Sequence, residues 1–248
     1  MTRQNSPEDV VDNLIKDTSG SNKPRRRRIP LWLNAIVIFV LLGALVFIYH
    51  GLTSRDAPIP DNVGAEYVGL DQGFTNQGFP RLGSAEAPVL VEEFASYACS
   101  HCRDFHLERF PDMLDEIAAG QVQFVMIPVP HIGPGAKDAA KAALCAGQQG
   151  QYWEMNDVLF DWQNRFVVFT FDQRRLHNGA HNLGLDTNAF DQCMDSQATA
   201  TLVESARTEF NQRGLSGTPT FFINGEQVRS YDEFDKLGQL ADELSQKP

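Results

Sequence analysis

The chain has 248 residues, of which 42% are hydrophobic and 21% charged, and its formal net charge is −11. This length allows a substantial hydrophobic core, and the apolar share excludes a disordered chain. The acidic balance argues against a nucleic-acid-binding protein, because such proteins present basic surfaces to phosphates. Basic residues outnumber acidic ones only in residues 1–28, by 7 to 4, whereas the remainder holds 14 basic and 28 acidic residues.

Residues 31–49, LWLNAIVIFVLLGALVFIY, form the most apolar segment of the chain and contain no charged side chain. A helix of this length covers roughly 29 Å, close to the hydrocarbon thickness of a bilayer. Arginines occupy positions 25–28, so the positive-inside rule predicts a cytoplasmic N-terminus. A buried soluble helix and a cleavable signal peptide are the alternatives, but the segment ends in residues that make a poor cleavage site. We therefore predict a single-pass cell-membrane protein, with a disordered cytoplasmic tail over 1–28 and a signal anchor over 29–50.

Residues 51–82 are rich in Gly, Pro, Asp and Asn, which favour turns and extended linkers over regular structure. We predict an extracytoplasmic linker here, with a short edge strand near residues 65–70.

The chain from 83 to 248 is predicted to form one domain outside the membrane. A β-rich pattern over 88–96 predicts a strand, and helical periodicity follows over 99–119. Pro111 lies inside this helical pattern and should kink it. A second strand is predicted over 121–129.

The second half of this domain begins with a block of helices. Helical patterns occupy 135–147, 152–162, 171–183, 187–194 and 199–214. A third strand over 220–225 ends in an Asn-Gly turn, with a possible hairpin partner over 227–229 and a closing helix over 231–245. A βαβ start, a helical insertion at about 134–214 and a final hairpin and helix predict a single α/β domain.

A Cys-x-x-Cys motif, Cys99-Ser100-His101-Cys102, stands between the first strand and the first helix of this domain. A thiolate is the nucleophile in thiol–disulfide exchange, and a helix N-terminus stabilises it through free N–H groups and the helix dipole. We expect Cys99 to be exposed and acidic, and Cys102, one turn further along, to be shielded and to resolve the mixed disulfide. His101 can add a hydrogen bond or a positive charge beside Cys99, which favours an oxidising pair.

Other uses of this motif are less consistent with the sequence. A c-type haem site needs a histidine after the second cysteine, where Arg103 stands. A zinc site needs further paired ligands, and His101 and His106 are the nearest candidates. A purely structural disulfide is a third alternative. We predict redox catalysis without a metal or an organic cofactor.

Cys145 and Cys193 lie 48 positions apart on predicted helices of the insertion. Outside the membrane, free thiols are unexpected because the compartment is oxidising. We predict a structural disulfide between them, and two buried unpaired cysteines are the alternative.

These residues resemble a known family, the membrane-anchored bacterial DsbA-like thiol:disulfide oxidoreductases, which have a thioredoxin fold with a helical insertion. The resemblance rests on VLVEEFASYACSHC at 89–102, on the helical insertion, and on SGTPTFFING at 216–225. It covers about residues 80–245. One departure concerns the dipeptide between the cysteines, which is Ser-His where the best-known members have Pro-His.

The resemblance implies roles for further residues. Pro219 is expected to follow a cis peptide bond that faces the Cys99–Cys102 pair, although trans is the usual state of such bonds. Thr218 is expected to tune the pair and to offer its backbone to an extended substrate. Glu93 matches a buried acid that assists proton transfer from the resolving cysteine, with Glu92 as a competing candidate.

The predicted function is an extracytoplasmic thiol oxidase that donates the Cys99–Cys102 disulfide to reduced client proteins through a mixed disulfide at Cys99. The resemblance implies a quinone-linked membrane reoxidase as a second partner, and residues 31–49 would contact the lipid bilayer. Two alternatives stay open, namely a disulfide reductase or isomerase of the same fold and a non-catalytic client-binding chaperone. No nucleic-acid partner is expected.

Overall fold

The computed structural model describes residues 31–53, 56–131, 133–166 and 169–246, so the predicted cytoplasmic tail lies outside the described residues. The chain divides into two compact units, residues 1–52 and residues 53–248. Each unit is described here by itself.

The described part of the first unit is a long apolar helix, α1, which covers Leu31–Thr53 and ends at the first residue of the second unit. Its segment Trp32–Tyr49 has a mean hydropathy of 2.5, and none of it is buried. Within the described residues, this is the one helix long and apolar enough to cross a membrane. A signal sequence would have the same length and composition, so the helix fits the predicted anchor without fixing its topology.

The second unit is built on a mixed sheet whose six strands, counted within the described residues, lie in the order β1-β2-β4-β3-β5-β6. The strands are β1 Gln72–Phe74, β2 Pro80–Leu82, β3 Val89–Ala95, β4 Val122–Pro128, β5 Thr220–Ile223 and β6 Glu226–Gln227. β3 and β4 are parallel, and the other neighbouring strands are antiparallel. This arrangement confirms the predicted α/β thioredoxin fold.

The predicted linker over 51–82 contains more regular structure than its composition indicates. β1 and β2 both lie within it and extend the sheet beyond β4. The prediction of an edge strand near residues 65–70 is wrong, because Ala65–Tyr67 is a 3₁₀ helix. Tyr67 is buried there, and its ring packs 6.0 Å from that of Trp153. Tertiary packing therefore decides the conformation of this segment.

The start of the second unit is fastened to the helical insertion by side-chain donors. The backbone carbonyls of residues 56–58 accept hydrogen bonds from Arg175 at 2.9 Å, Asn182 at 2.9 Å and Trp162 at 2.7 Å. Each donor belongs to the insertion. Residues 56–58 are therefore part of the folded unit and not a free tether.

The catalytic segment begins with α2, Ser100–Glu108, which gives way to a 3₁₀ turn at Phe110–Met113 and to α3, Leu114–Ala118. Pro111 causes this break, as the sequence predicts, because proline cannot donate the helical hydrogen bond. The insertion comprises α4 Ala136–Gly147, α5 Tyr152–Arg165, α6 Gln173–Asn182, α7 Thr187–Asp195 and α8 Gln197–Gln212. A 3₁₀ helix at Tyr231–Lys236 and α9, Leu237–Ser245, close the fold.

The two faces of β3 belong to two separate hydrophobic cores. Val89, Val91 and Ala95 face the larger core, which also contains side chains of α2, α4 and α5. Phe94 belongs to the smaller core, to which α8 contributes Phe210. Since side chains alternate along a strand, Glu93 shares the face of Val91 and Ala95.

Candidate active site

The Cys-x-x-Cys motif lies where the chain leaves β3 and enters α2. Cys99 is the N-cap of α2 with an extended backbone (φ −93°, ψ 120°), and Cys102 lies in the first turn. Both are free thiols in this structure. Cys102 has no exposed surface, as expected for a shielded sulfur. Cys99 is only 7% exposed, which is less than the sequence predicts, because the loop that carries Thr218 lies over it.

The environment of Cys99 favours its thiolate. The pKa of Cys99 is lowered from 9.0 to about 5, chiefly by a hydrogen bond from the Cys102 thiol. Burial opposes this shift, whereas the Thr218 side chain and the backbone N–H groups of Cys102 and His101 support it. His101 itself is exposed. Its effect on Cys99 comes from the free N–H at the start of the helix, in line with the general behaviour of helix N-termini.

The pKa of Cys102 is shifted in the opposite direction. Its pKa is raised, first by burial, then by its hydrogen bond to Cys99 and by the nearby charge of Glu93. The backbone N–H of Ser96 points at the Cys102 sulfur over 3.5 Å and offsets a small part of this shift. The two sulfurs are therefore differentiated, since one is stable as a thiolate and the other as a thiol.

The loop before β5 closes the site from the other side. The Thr218–Pro219 peptide bond is cis. The Cys99 thiol donates a hydrogen bond to the Thr218 carbonyl oxygen at 3.0 Å, which favours the protonated sulfur. The Thr218 hydroxyl is buried without a hydrogen-bond partner among the described residues. It is free to donate to a thiolate, which explains why the Thr218 side chain lowers the Cys99 pKa.

The side chains of Glu93 and Glu92 lie on opposite faces of β3, because successive side chains of a strand alternate between its faces. The Glu93 side chain is fully buried, and its Oε2 lies 2.7 Å from Nε2 of His106. Glu92 lies on the opposite face, where its Oε1 pairs with Arg213 at 3.0 Å. The structure therefore places Glu93, and not Glu92, in the core behind Cys102.

His106 is the site residue that sequence reasoning missed. From the sequence His106 is a candidate zinc ligand only, yet its side chain is buried against Glu93 and stacks on the Phe160 ring at 4.5 Å. The signal was present in the sequence, because His106 follows Cys102 by four residues and so shares its face of α2. Within the described residues, no group of three or more His, Cys, Asp or Glu side chains could hold a metal ion.

Cys145 and Cys193 form a disulfide that joins α4 to α7, with their Cα atoms 5.6 Å apart. The Thr199 hydroxyl lies 3.3 Å from the Cys193 sulfur. The four cysteines thus form two separate pairs, one at the tip of α2 and one inside the insertion.

Comparison with known proteins supports this arrangement. A family model described as thioredoxin matches residues 75–243, more than half of the chain. Disulfide bond formation protein D of Bacillus subtilis is 26% identical over 171 residues, which cover 67% of this chain and 77% of that protein. The crystal structure of Wolbachia pipientis alpha-DsbA1 has a TM-score of 0.59 and 24% identity, covering 69% of this chain and 92% of that one, and shows the shared fold.

A further relative is the Na(+)/H(+) antiporter NhaA 3 of Salinispora tropica, 30% identical over 145 residues. These residues cover 58% of this chain, and the match spans 21% of the antiporter's length. The similarity thus concerns a part of that larger protein. The match to the thioredoxin model and the relatives named for disulfide formation agree with the geometry around Cys99 and Cys102. The chain belongs to the thioredoxin family.

Proposed function

We propose that this protein is a membrane-anchored, extracytoplasmic thiol oxidase that donates the Cys99–Cys102 disulfide to client proteins. One observation carries the proposal, namely the placement of Cys99 at the N-cap of α2 with Cys102 fully buried one turn behind it, which shifts the pKa values of the two thiols in opposite directions. A thiolate that is stable at neutral pH stabilises the reduced pair relative to the disulfide. The oxidised pair is then a strong acceptor of electrons from client thiols.

The reaction divides into two exchanges. In the first, a client thiolate attacks the Cys99 sulfur, the Cys99–Cys102 bond breaks, and Cys102 leaves and takes up a proton. In the second, another client thiolate attacks the client sulfur of the mixed disulfide and expels Cys99 as a thiolate. The client gains a disulfide and the enzyme pair gains two electrons. The pKa of about 5 makes Cys99 a good leaving group in the second exchange.

The cis-proline loop supports client binding at Cys99. The Thr218 carbonyl lies 3.0 Å from the Cys99 sulfur, so the backbone before Pro219 runs directly beside the reacting atom. An extended client segment that pairs with this backbone would bring its cysteine to Cys99. Glu93 is the proposed proton partner of Cys102, since it is buried and its charge acts on that thiol.

Location and reoxidation complete the proposal. The apolar helix at Trp32–Tyr49 and the arginines at 25–28 support an anchor with its N-terminus in the cytoplasm. Reoxidation of the pair by a quinone-linked membrane protein follows from the family resemblance.

A reporter that is active only outside the cytoplasm, fused to the C-terminus, tests the orientation of the chain in the membrane. An inactive reporter at normal expression would contradict the proposed orientation.

The redox potential of the full chain tests the direction of the reaction. We expect equilibration with glutathione to give a redox potential of about −120 mV. A redox potential of about −270 mV would indicate a reductant and refute the proposal. Cys99→Ala should abolish oxidation of a reduced model protein. If the protein were instead a non-catalytic chaperone, this substitution would leave its client binding unaffected. Cys102→Ala should accumulate mixed disulfides with clients that already contain a disulfide, because the Cys99 thiolate attacks the client disulfide, expels one client thiolate, and no Cys102 thiol remains to release the client.

A further inference from the structure

A continuous row of buried polar side chains leads from α5 to Glu93, behind the catalytic helix. Tyr152 and Tyr97 share a hydrogen bond of 3.0 Å between their hydroxyls, and Tyr97 donates to Oδ1 of Asn156 at 3.1 Å. Nδ2 of Asn156 lies 3.4 Å from Nδ1 of His106, whose Nε2 lies 2.7 Å from Glu93. All five side chains are buried. None of the first four is explained by the two sulfur exchanges.

The contacts of Asn156 determine which atom of its amide faces His106. Its Nδ2 lies 3.5 Å from Oδ1 of Asp157, an oxygen that also accepts the Tyr67 hydroxyl at 2.8 Å and is therefore an acceptor. The amide NH₂ must point to Asp157, and Oδ1 then meets the Tyr97 hydroxyl. The other N–H of Asn156 is directed at His106 Nδ1, which has to accept it. A neutral imidazole with an accepting Nδ1 carries its proton on Nε2.

The Nε2–H of His106 donates to one oxygen of Glu93 and leaves the other available. Oε1 of Glu93 is buried and has no hydrogen-bond partner among the described residues. A buried carboxylate oxygen without a partner costs stability, and a functional role would explain why it is retained. The charge of Glu93 acts directly on Cys102.

We propose that Asn156 fixes His106 as the Nε2–H tautomer, and that His106 thereby positions Glu93 with one carboxylate oxygen free for the proton of Cys102. Both are positioning residues, since they act through Glu93. The inference rests on the proposed function and adds two residues to its proton-transfer step.

The proton step balances with the groups present. When Cys102 resolves a mixed disulfide, its S–H bond breaks and the proton passes to Oε1 of Glu93. The Cys102 thiolate attacks the Cys99 sulfur, forms the Cys99–Cys102 bond and expels the partner thiolate, which takes a proton from water. In the donating direction, the same proton returns from Glu93 to the leaving Cys102.

Several titratable side chains lie near His106. Glu93 faces it from β3, and Asp157 and Tyr152 lie on α5. Cys102 lies on α2, the same helix as His106, and Tyr97 lies in the segment that follows β3. The remaining neighbours are aromatic rings, Phe105, Phe110, Phe124 and Phe160. The pKa of Asp157 is raised to about 7, chiefly by burial, so Asp157 titrates near neutral pH.

The test uses the reduced full chain and oxidised glutathione, with acid quenching and mass spectrometry. Cys99 first forms a mixed disulfide with glutathione, and Cys102 then resolves it, so the second rate reports the proton step. His106→Leu should slow resolution at pH 7 by about 10- to 100-fold, with a rate that rises about tenfold per pH unit as hydroxide replaces Glu93. His106→Gln should stay within about threefold of the parent, because its amide donates to Glu93 and accepts from Asn156.

Asn156→Leu should slow resolution by about tenfold, since His106 is then free to exchange its tautomer. Met155→Leu is the matched control, because Met155 is buried on the same helix outside the relay and should leave the rate unchanged. Near-UV circular dichroism reports whether each variant keeps its packed core. If His106→Leu does not fold, Asn156→Leu and His106→Gln decide the question.

The proposal is overturned if His106→Gln is as slow as His106→Leu, or if Asn156→Leu resolves at the parental rate. The proposed function fails in a different way. In that case the parent chain reacts with oxidised glutathione yet does not oxidise a reduced client protein.

Discussion

Replacing Cys102 by alanine should raise the pKa of Cys99, because the Cys102 thiol provides the largest stabilising contact of the Cys99 thiolate. A hydrogen bond to a charged group contributes about 1.5–3 kcal/mol, and one pKa unit corresponds to about 1.4 kcal/mol. The loss therefore amounts to about one or two units, which moves the pKa from about 5 to roughly 6–7. It should stay below 9.0, since the Thr218 side chain and the N–H groups of α2 remain.

The assay is the absorbance of the thiolate at 240 nm between pH 3 and 10. In Cys102→Ala the one thiol that titrates is Cys99, because Cys145 and Cys193 are joined as a disulfide, and Cys99→Ala/Cys102→Ala supplies the baseline for tyrosine ionisation at high pH. Cys102→Ser is the matched control, since its hydroxyl can still donate to the thiolate and should keep the midpoint near 5. A midpoint that stays near 5 in the alanine variant would refute the reasoning. Equal midpoints in the two variants would do the same, because the donor would then be irrelevant.

Three further predictions concern stability. The double substitution Cys145→Ala/Cys193→Ala should lower the free energy of unfolding by about 4 kcal/mol, because it frees a loop of 48 residues, and thermal unfolding measures the loss. Since the pKa of Cys99 falls from 9.0 to about 5 on folding, its contribution to the reduced protein is full above pH 9 and is lost as the pH drops through 5. Urea titrations should therefore show the reduced form losing roughly 2 kcal/mol relative to the oxidised form between pH 7 and pH 4, after a discount for solvent screening, and a constant difference would contradict this. Gly179→Ala should destabilise by about 1–3 kcal/mol despite the better helix propensity of alanine, because its Cβ would overlap the Trp162 ring, and an unchanged melting temperature would disprove the clash.

The parts of the fold that sequence predicts well are those with local signals. The β3–α2–β4 unit has alternating or helical periodicity, and Pro111 marks its break in the sequence. A period of two places Glu93 on the face of Val91 and Glu92 on the opposite face, but it does not say which of the two faces lies behind Cys102. A strand with both faces buried hides this alternation, because neither side is polar throughout.

Other features depend on partners that are distant in sequence. β1 and β2 have three residues each, too few for a periodic signal, and they exist because β4 offers a sheet edge. The pairing of His106 with Asn156 spans 50 positions and follows from the packing of α5 against α2. The low exposure of Cys99 likewise depends on Thr218, 119 residues further along the chain.

The three carbonyls held by Arg175, Asn182 and Trp162 define where a soluble catalytic fragment should begin. A fragment that starts at residue 83 would lose these three acceptor carbonyls and two strands of the sheet. Such a fragment should be insoluble or sensitive to proteases. A fragment that starts at Asp56 keeps all three acceptors and should be the smallest one that retains the native resistance to proteolysis.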